Sequence, residues 1–348
     1  MSELHKFIFE GLPVRGAIVR LTTGWQEMLA RKSYPAAAQS VLGEMTAAAL
    51  LMHSNIKFNG SLILQVMGGE KSTGRRDTSP VKLAVVEVKS DLSFRTTAKV
   101  VHAVSGTESF SQLINQSNQA RCAITLDPEV KFQGQQAYQS VVPLYGDHGD
   151  SLESFAAVLE HYMLQSEQLD TKLVLAANAD MAVGILIQRM PIKGENNLAG
   201  AFTSTENEDA IGKNEDFNRI ATLTASIKSE ELLTLGVDDI LHRLFWQEPI
   251  ARYEPANPAP RFQCTCNREK VAQTIRSLGQ TEAERAIEEQ NGIAVNCDFC
   301  GQSYEFDVID AAMLLIDEPR ATHEQLIIGQ LVDDRQFRIN CISHGGRA

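Results

Sequence analysis

Four of the six cysteines in this chain are spaced for chemistry. Cys264 and Cys266 flank one threonine in FQCTCNREK, and after 30 intervening residues Cys297 and Cys300 form a Cys-x-x-Cys in NCDFCG. Two close thiol pairs are the donor set of a tetrahedral zinc ion, because each loop delivers two thiolates and folding closes a four-sulfur shell. A full shell leaves no open position for water or substrate, so the expected Zn2+ site is structural and not catalytic. Zinc keeps sulfur as thiolate, the form that oxidants attack, and each cysteine has a thiol neighbour with which a reversible disulfide could form. Cys122, in the apolar run CAITL, reads as a small buried hydrophobe. Cys341, near His344 in RINCISHGG, is assigned no role.

The segment between the pairs carries the signals needed to bring them together. Asn267 can cap a helix bearing Val271, Ile275 and Leu278, which Gly279 can end. Thr281 and Glu284 then make a capping box for a second short helix, closed by Asn291-Gly292. IAVNCDFCGQSYEFD reads as a β-hairpin around a metal knuckle, with Gly301 permitting the tight backbone after the last ligand. Residues 255–316 are therefore expected to form a module too small for a good apolar core. Structural zinc supplies on the order of 10 to 16 kcal/mol in such peptides, comparable to the stability of a whole domain, so its loss should unfold the module.

Upstream, residues 1–193 read as an α+β core domain. β-type runs (SLILQVM, KLAVVEV, CAITL, VGILIQRM) are interrupted by two helices. The first starts with Pro35 as its opening residue and is apolar nearly all round. The second takes Asp150 and Glu153 as a capping pair and presents Phe155, Val158, Leu159, Tyr162 and Met163 as one stripe. Asn59-Gly60 suits a tight turn between strands. Gly68-Gly69 and Lys71 lack the spacing of a phosphate loop, and GGEKSTGRRDTSP reads as an exposed loop.

Residues 194–254 read as a linker. Its first part, residues 195–216, carries six acids against Lys213 alone. The second part sets Phe217, Ile220, Leu223 and Ile227, then Ile240, Leu241, Leu244 and Phe245, at helical spacing. RIATLTASI is rich in residues of low helix propensity, so this helix should depend on a surface to pack against.

Composition bounds the partners. The chain has 348 residues, 43% apolar, with a net charge of -12, and residues 261–316 hold five basic against nine acidic side chains. Nucleic acid and anionic membrane are not expected as partners. No run approaches the roughly 20 apolar residues of a membrane span, and MSELHKFIFEGLPVRG does not read as a signal peptide. The cytoplasm is the expected compartment, where close cysteines more often bind metal than form permanent bridges.

CTCNREK with CDFCG 30 residues on, together with IATLTASIKSEELLTL (residues 220–235), YMLQSEQL and VRGAIV, resembles the heat shock protein 33 family of redox-regulated bacterial chaperones. The resemblance runs from about residue 5 to 316. The loop around KSTGRRDTSP is longer than the family's usual one, and residues 317–348 extend past its usual end, with no assigned role. The resemblance implies an α+β core domain, a metastable helical linker and a four-cysteine zinc domain that is inactive while reduced. It further implies that oxidation forms the disulfides Cys264-Cys266 and Cys297-Cys300, expels zinc and unfolds the linker. The oxidised protein, often a homodimer, would then hold unfolding client proteins without ATP and without enzymatic turnover. Ile220, Leu223, Ile227, Leu232 and Leu233 are the client contacts this suggests. Two other readings stand beside it: a zinc-stabilised interaction protein with no switch, and a thiol-disulfide oxidoreductase using Cys297-x-x-Cys300, whose motif would belong after a strand in a βαβ setting.

Overall fold

The computed structural model describes residues 1–69, 79–106, 108–132, 135–190, 212–277, 292–316 and 337–339. The chain divides into two compact units, Met1–Gln263 and Cys264–Ala348. The fold is α+β, with a sheet core at the N-terminal end, a helical region, and the cysteine-bearing unit at the C-terminal end.

The first unit contains β1 (Glu3–Phe9), β2 (Val14–Leu21), α1 (Thr23–Arg31), α2 (Ala36–Asn55), β3 (Gly60–Met67), β4 (Val81–Lys89), β5 (Ser93–Val100), α3 (Phe110–Ile114), β6 (Arg121–Pro128), β7 (Tyr138–Pro143), α4 (Phe155–Gln165), β8 (Thr171–Ala177) and β9 (Ala182–Arg189). These are followed by α5 (Glu215–Ala225), α6 (Ser229–Thr234), α7 (Val237–Phe245), β10 (Ile250–Arg252) and β11 (Arg261–Phe262). The strands make one sheet in the order β10-β1-β2-β9-β8 and another in the order β11-β5-β4-β3-β6-β7. All four β-type runs read from the sequence are strands: β3, β4, β6 and β9.

Helix α2 packs on both sheets, which is why its sequence has no polar face: Val41, Leu42, Met45, Leu50 and Leu51 are all buried. Gly43 lets it approach closely, since a Cβ there would lie 2.3 Å from the Cβ of Ala177. Pro35 is the residue before the helix and not its first turn, with ψ 147°. Extended backbone there places the chain just outside the helix.

Two local expectations fail for a shared reason, long-range pairing. Asn59-Gly60 joins α2 to β3, not strand to strand, and the Gly60 N–H is held by Ser90 Oγ at 2.8 Å. Asp150 and Glu153 do not cap α4. A turn at Gly149 and the Tyr145–Ser151 bridge carry the chain past them, and Ser154 Oγ accepts from the Ala157 N–H at 3.1 Å. The carboxylate of Glu153 accepts instead from Ser111 at 2.7 Å. The expected stripe of α4, from Phe155 to Met163, is buried throughout.

The linker sequence folds as α5, α6 and α7, and its docking surface is the first sheet. Ile220, Ile227, Leu232, Val237, Ile240 and Phe245 join Phe7, Phe9, Ile18, Val183, Ile185 and Ile187 in one apolar cluster. Leu223 and Leu233 pack against it half-buried. Phe245 meets the ring of Phe9 edge-on at 5.0 Å. On β9, Val183, Ile185 and Ile187 face the linker, whereas Gly184 faces Leu51 and Ala47 of α2. Both faces of β9 are thus covered, which explains its unbroken apolar run. Among the described residues, few polar contacts fasten the linker helices. Arg20 donates to the Leu235 carbonyl at 2.7 Å, and the Gly212 N–H donates to Asp170, itself paired with Arg189 at 2.8 Å. Helix α5 shows the weakness its composition implies, because Thr222 and Thr224 turn their hydroxyls back onto the carbonyls of Asn218 and Ile220.

The second unit contains α8 (Arg268–Ser277), β12 (Ile293–Cys297), β13 (Ser303–Phe306), α9 (Val308–Ile316) and β14 (Phe337–Ile339). β12 and β13 form the expected hairpin, and β14 adds on the other side of β12. Leu278, Gly279, the Thr281–Glu284 capping box, Asn291, Lys71, Cys341 and His344 lie outside the described residues, as does most of the 317–348 extension.

Candidate metal centre

Cys264 and Cys266 enter the site from the segment just before α8. Asn267 fixes that entry: its side-chain oxygen accepts from the Lys270 N–H at 2.8 Å, the cap expected from the sequence. Val271 and Ile275 of α8 are then fully buried. Cys297 ends β12 and Cys300 sits in the turn to β13. The Gly301 N–H donates to the Cys297 carbonyl at 2.8 Å, and the Cys297 N–H to the Gln302 carbonyl at 2.9 Å. Closing that turn puts Gly301 at φ +72°, a conformation that favours glycine.

Folding brings all four sulfurs within 4.8 Å of one another. Cys264 Sγ lies 3.6 Å from Cys297 Sγ, and Cys266 Sγ lies 3.3 Å from Cys300 Sγ. Zinc–sulfur bonds of about 2.3 Å in a tetrahedron set the sulfurs roughly 3.8 Å apart, so the donor set matches the ion after shifts of less than about 1 Å. The structure therefore brings the four cysteines read in the sequence into one cluster that could hold a metal ion, two of them buried and two half-buried.

Thiols this close cannot all ionise without a cation between them. Cys264 is held well below the ordinary thiol range by S–H donation from Cys297 and Cys300. The same bonds drive Cys297 far up, and Cys300 is pushed up to about 11, first by its bond to Cys264. A bound cation would replace that shared protonation with four thiolates.

Two neighbours of the site were not legible from spacing. The phenol of Tyr304, on β13, donates to Cys266 Sγ at 3.2 Å. Arg268 stacks its guanidinium over the ring of Phe306 at 4.1 Å, donates to the Glu305 carbonyl at 2.6 Å and pairs with Asp310. It thereby ties α8, which follows the first ligand pair, to the strand and helix after the second. The sequence carries a tyrosine and an arginine close to the cysteines, but no local signal for where their side chains turn. Cys122, by contrast, is where CAITL suggested: fully buried on β6, its thiol pushed up to about 12 by desolvation.

The family model described as "Hsp33 protein" matches residues 2–307. The chain belongs to the Hsp33 family. It is 40% identical over 313 residues to the 33 kDa chaperonin of Chromobacterium violaceum, covering 90% of this chain and 93% of that protein. The 33 kDa chaperonin of Shewanella frigidimarina is 35% identical, with 89% and 94% covered. Among solved structures, the heat shock protein 33 homolog of Thermotoga maritima superposes with a TM-score of 0.68 at 20% identity, over 91% of this chain and all of that one. That likeness shows the Hsp33 fold. Among the described residues no helix is long and apolar enough to cross a membrane.

Proposed function

We propose that this chain is a redox-regulated, ATP-independent holdase, silent while reduced and zinc-loaded. The reading rests on the four-sulfur cluster, joined in one chain to a weak helical linker whose apolar side is docked on a sheet. Residues 1–193 act as the core, 194–254 as the linker and 255–316 as the switch, with 317–348 an extension of no assigned role. Zinc, bound by Cys264, Cys266, Cys297 and Cys300, would hold the sulfurs as thiolates and tie the two ligand-bearing loops together. The protein works in the reducing cytoplasm, where neither nucleic acid nor membrane is its partner.

Peroxide takes two electrons from each thiol pair, forming one S–S bond and two waters per peroxide. The pairs that close are Cys264-Cys266 and Cys297-Cys300. The shortest sulfur contacts in the folded site run the other way, 264 to 297 and 266 to 300. Local pairing therefore goes with loosening of the module: once the loops part, only sequence neighbours stay within reach. Either disulfide removes two ligands, the site loses its hold on the ion, and the small module opens.

Linker release then bares Ile220, Leu223, Ile227, Leu232 and Leu233 for clients. The cluster adds a point that spacing could not supply, since lifting the linker also uncovers Phe7, Phe9, Ile185 and Ile187 on the sheet. Both surfaces are available to unfolding proteins and to a second oxidised copy. The deciding experiment follows zinc release on peroxide treatment at raised temperature, alongside light scattering from an aggregating client. Zinc loss with protection only after oxidation is expected. Retained zinc, or equal protection in both states, leaves a structural zinc module without a switch; steady disulfide turnover would make the chain an oxidoreductase.

A further inference from the structure

Behind the linker-bearing sheet, on its α2 side, lies a cavity of about 190 Å³ bounded also by β3, β6, α4 and the start of β7. Its walls are apolar, with Met52, Leu62, Leu126, Met163 and Leu186 prominent, and the rings of Tyr138 and Tyr162 border it. Polar atoms are few. Arg15 donates twice to the single side-chain oxygen of Gln188, to which it is also paired across β2 and β9. Its charge has no carboxylate partner among the described residues. Asn55 turns a buried side-chain N–H₂ that meets no acceptor. Beside it, Lys6 caps the Ser54 carbonyl, adding a second cation nearby. The carboxylate in the lining, Glu167, accepts the Tyr162 hydroxyl at 2.5 Å.

A half-buried guanidinium with no carboxylate in ion-pair contact and an unmet amide donor beside an apolar hollow are the complement of an anion with an apolar body, and the Glu167 carboxylate in the lining is engaged by Tyr162 instead. The size limits that body. A dry cavity of about 150 Å³ holds benzene, so this one takes a single ring with a short arm of about four heavy atoms ending among the polar groups of the lining. The methionine sulfurs and tyrosine rings favour an aromatic ring over an alkyl chain. We infer that this cavity is a binding site for a small aromatic monocarboxylate, its carboxylate toward Arg15 and Asn55 and its ring among Met52, Met163 and Leu126. The site is independent of the cysteine cluster.

Calorimetric titration of the reduced, zinc-loaded full chain with phenylacetate, phenethylamine and hexanoate tests it. Saturable binding of phenylacetate, with weaker binding of the other two, is expected. Removing the charge with Arg15→Met should weaken phenylacetate by at least roughly tenfold, the usual loss for a hydrogen bond to a charged group. Leu126→Trp, which fills the hollow and leaves the polar atoms in place, should abolish binding while the circular dichroism spectrum is unchanged. The inference is overturned if phenylacetate does not bind, if either competitor binds as tightly, or if Leu126→Trp still binds it. Should Arg15→Met fail to fold, the Leu126→Trp result and the ligand order decide alone.

Discussion

At the scale of single residues, the metal centre separates what spacing can tell from what it cannot. A Cys-x-Cys and a Cys-x-x-Cys are local patterns, and each pair's geometry follows from a few bonds, so the ligand set could be read directly. Tyr304 could not, because its contact with Cys266 depends on how β13 lies beside the segment before α8. That contact has a chemical effect. A phenol donating to a thiolate draws off charge and lowers its nucleophilicity toward peroxide. Tyr304→Phe is therefore expected to speed oxidation of the Cys264–Cys266 pair severalfold relative to Cys297–Cys300, with one zinc still bound per chain. Peptide mapping after brief peroxide exposure reads the two pairs separately. Equal acceleration of both pairs would mean that the ring only packs.

At the scale of elements, the linker shows why propensity and burial must be read together. Helices α5 to α7 are short, α5 carries Thr222 and Thr224, and alone they would be marginal in water. Their apolar spacing was plain in the sequence, but their partner was not, because the docking residues on β1, β2 and β9 are far away along the chain. Long-range pairing likewise diverts Glu153, which has the right spacing to Asp150: its carboxylate goes to Ser111, and Ser154 caps α4 instead. Ile240, fully buried on α7, offers a test of the linker. Ile240→Ala should cost about 2 to 4 kcal/mol of packing. The expected outcome is a reduced, zinc-loaded protein that shields a client in part without oxidant, and whose linker is cut faster by trypsin. Fast cutting without protection would show that a loosened linker is not enough.

At the scale of the whole molecule, stability is unevenly distributed. The first unit has two sheets around a largely buried helix, whereas the described apolar interior of the second amounts to residues such as Val271, Ile275, Ile293, Val295 and Phe306. With zinc bound as proposed, the second unit would lean on its metal, and the first would not. A thiol-competing chelator should abolish a separate melting transition of the second unit and leave the core transition within a few degrees. Differential scanning calorimetry with and without the chelator checks this, and a single transition that shifts as one would contradict it. Composition anticipated the division in kind, since a cysteine-held segment follows an apolar-rich one.

The short strand β10 follows the three linker helices, yet it completes the edge of the first sheet, with Ile250, Ala251 and Arg252 opposite Phe9, Ile8 and Phe7 of β1. Upstream, the chain leaves the same sheet from β9. A linker that melts between two such anchors is a closed loop and not a free tail. Its ends stay in place, so the effective concentration of its apolar side chains over the sheet remains high, and the entropy gained grows only slowly with loop length. Re-docking then needs no search through solution. Under the proposed mechanism a bound client would have to outcompete a tethered rival, and it would be let go when the rival regains its helices.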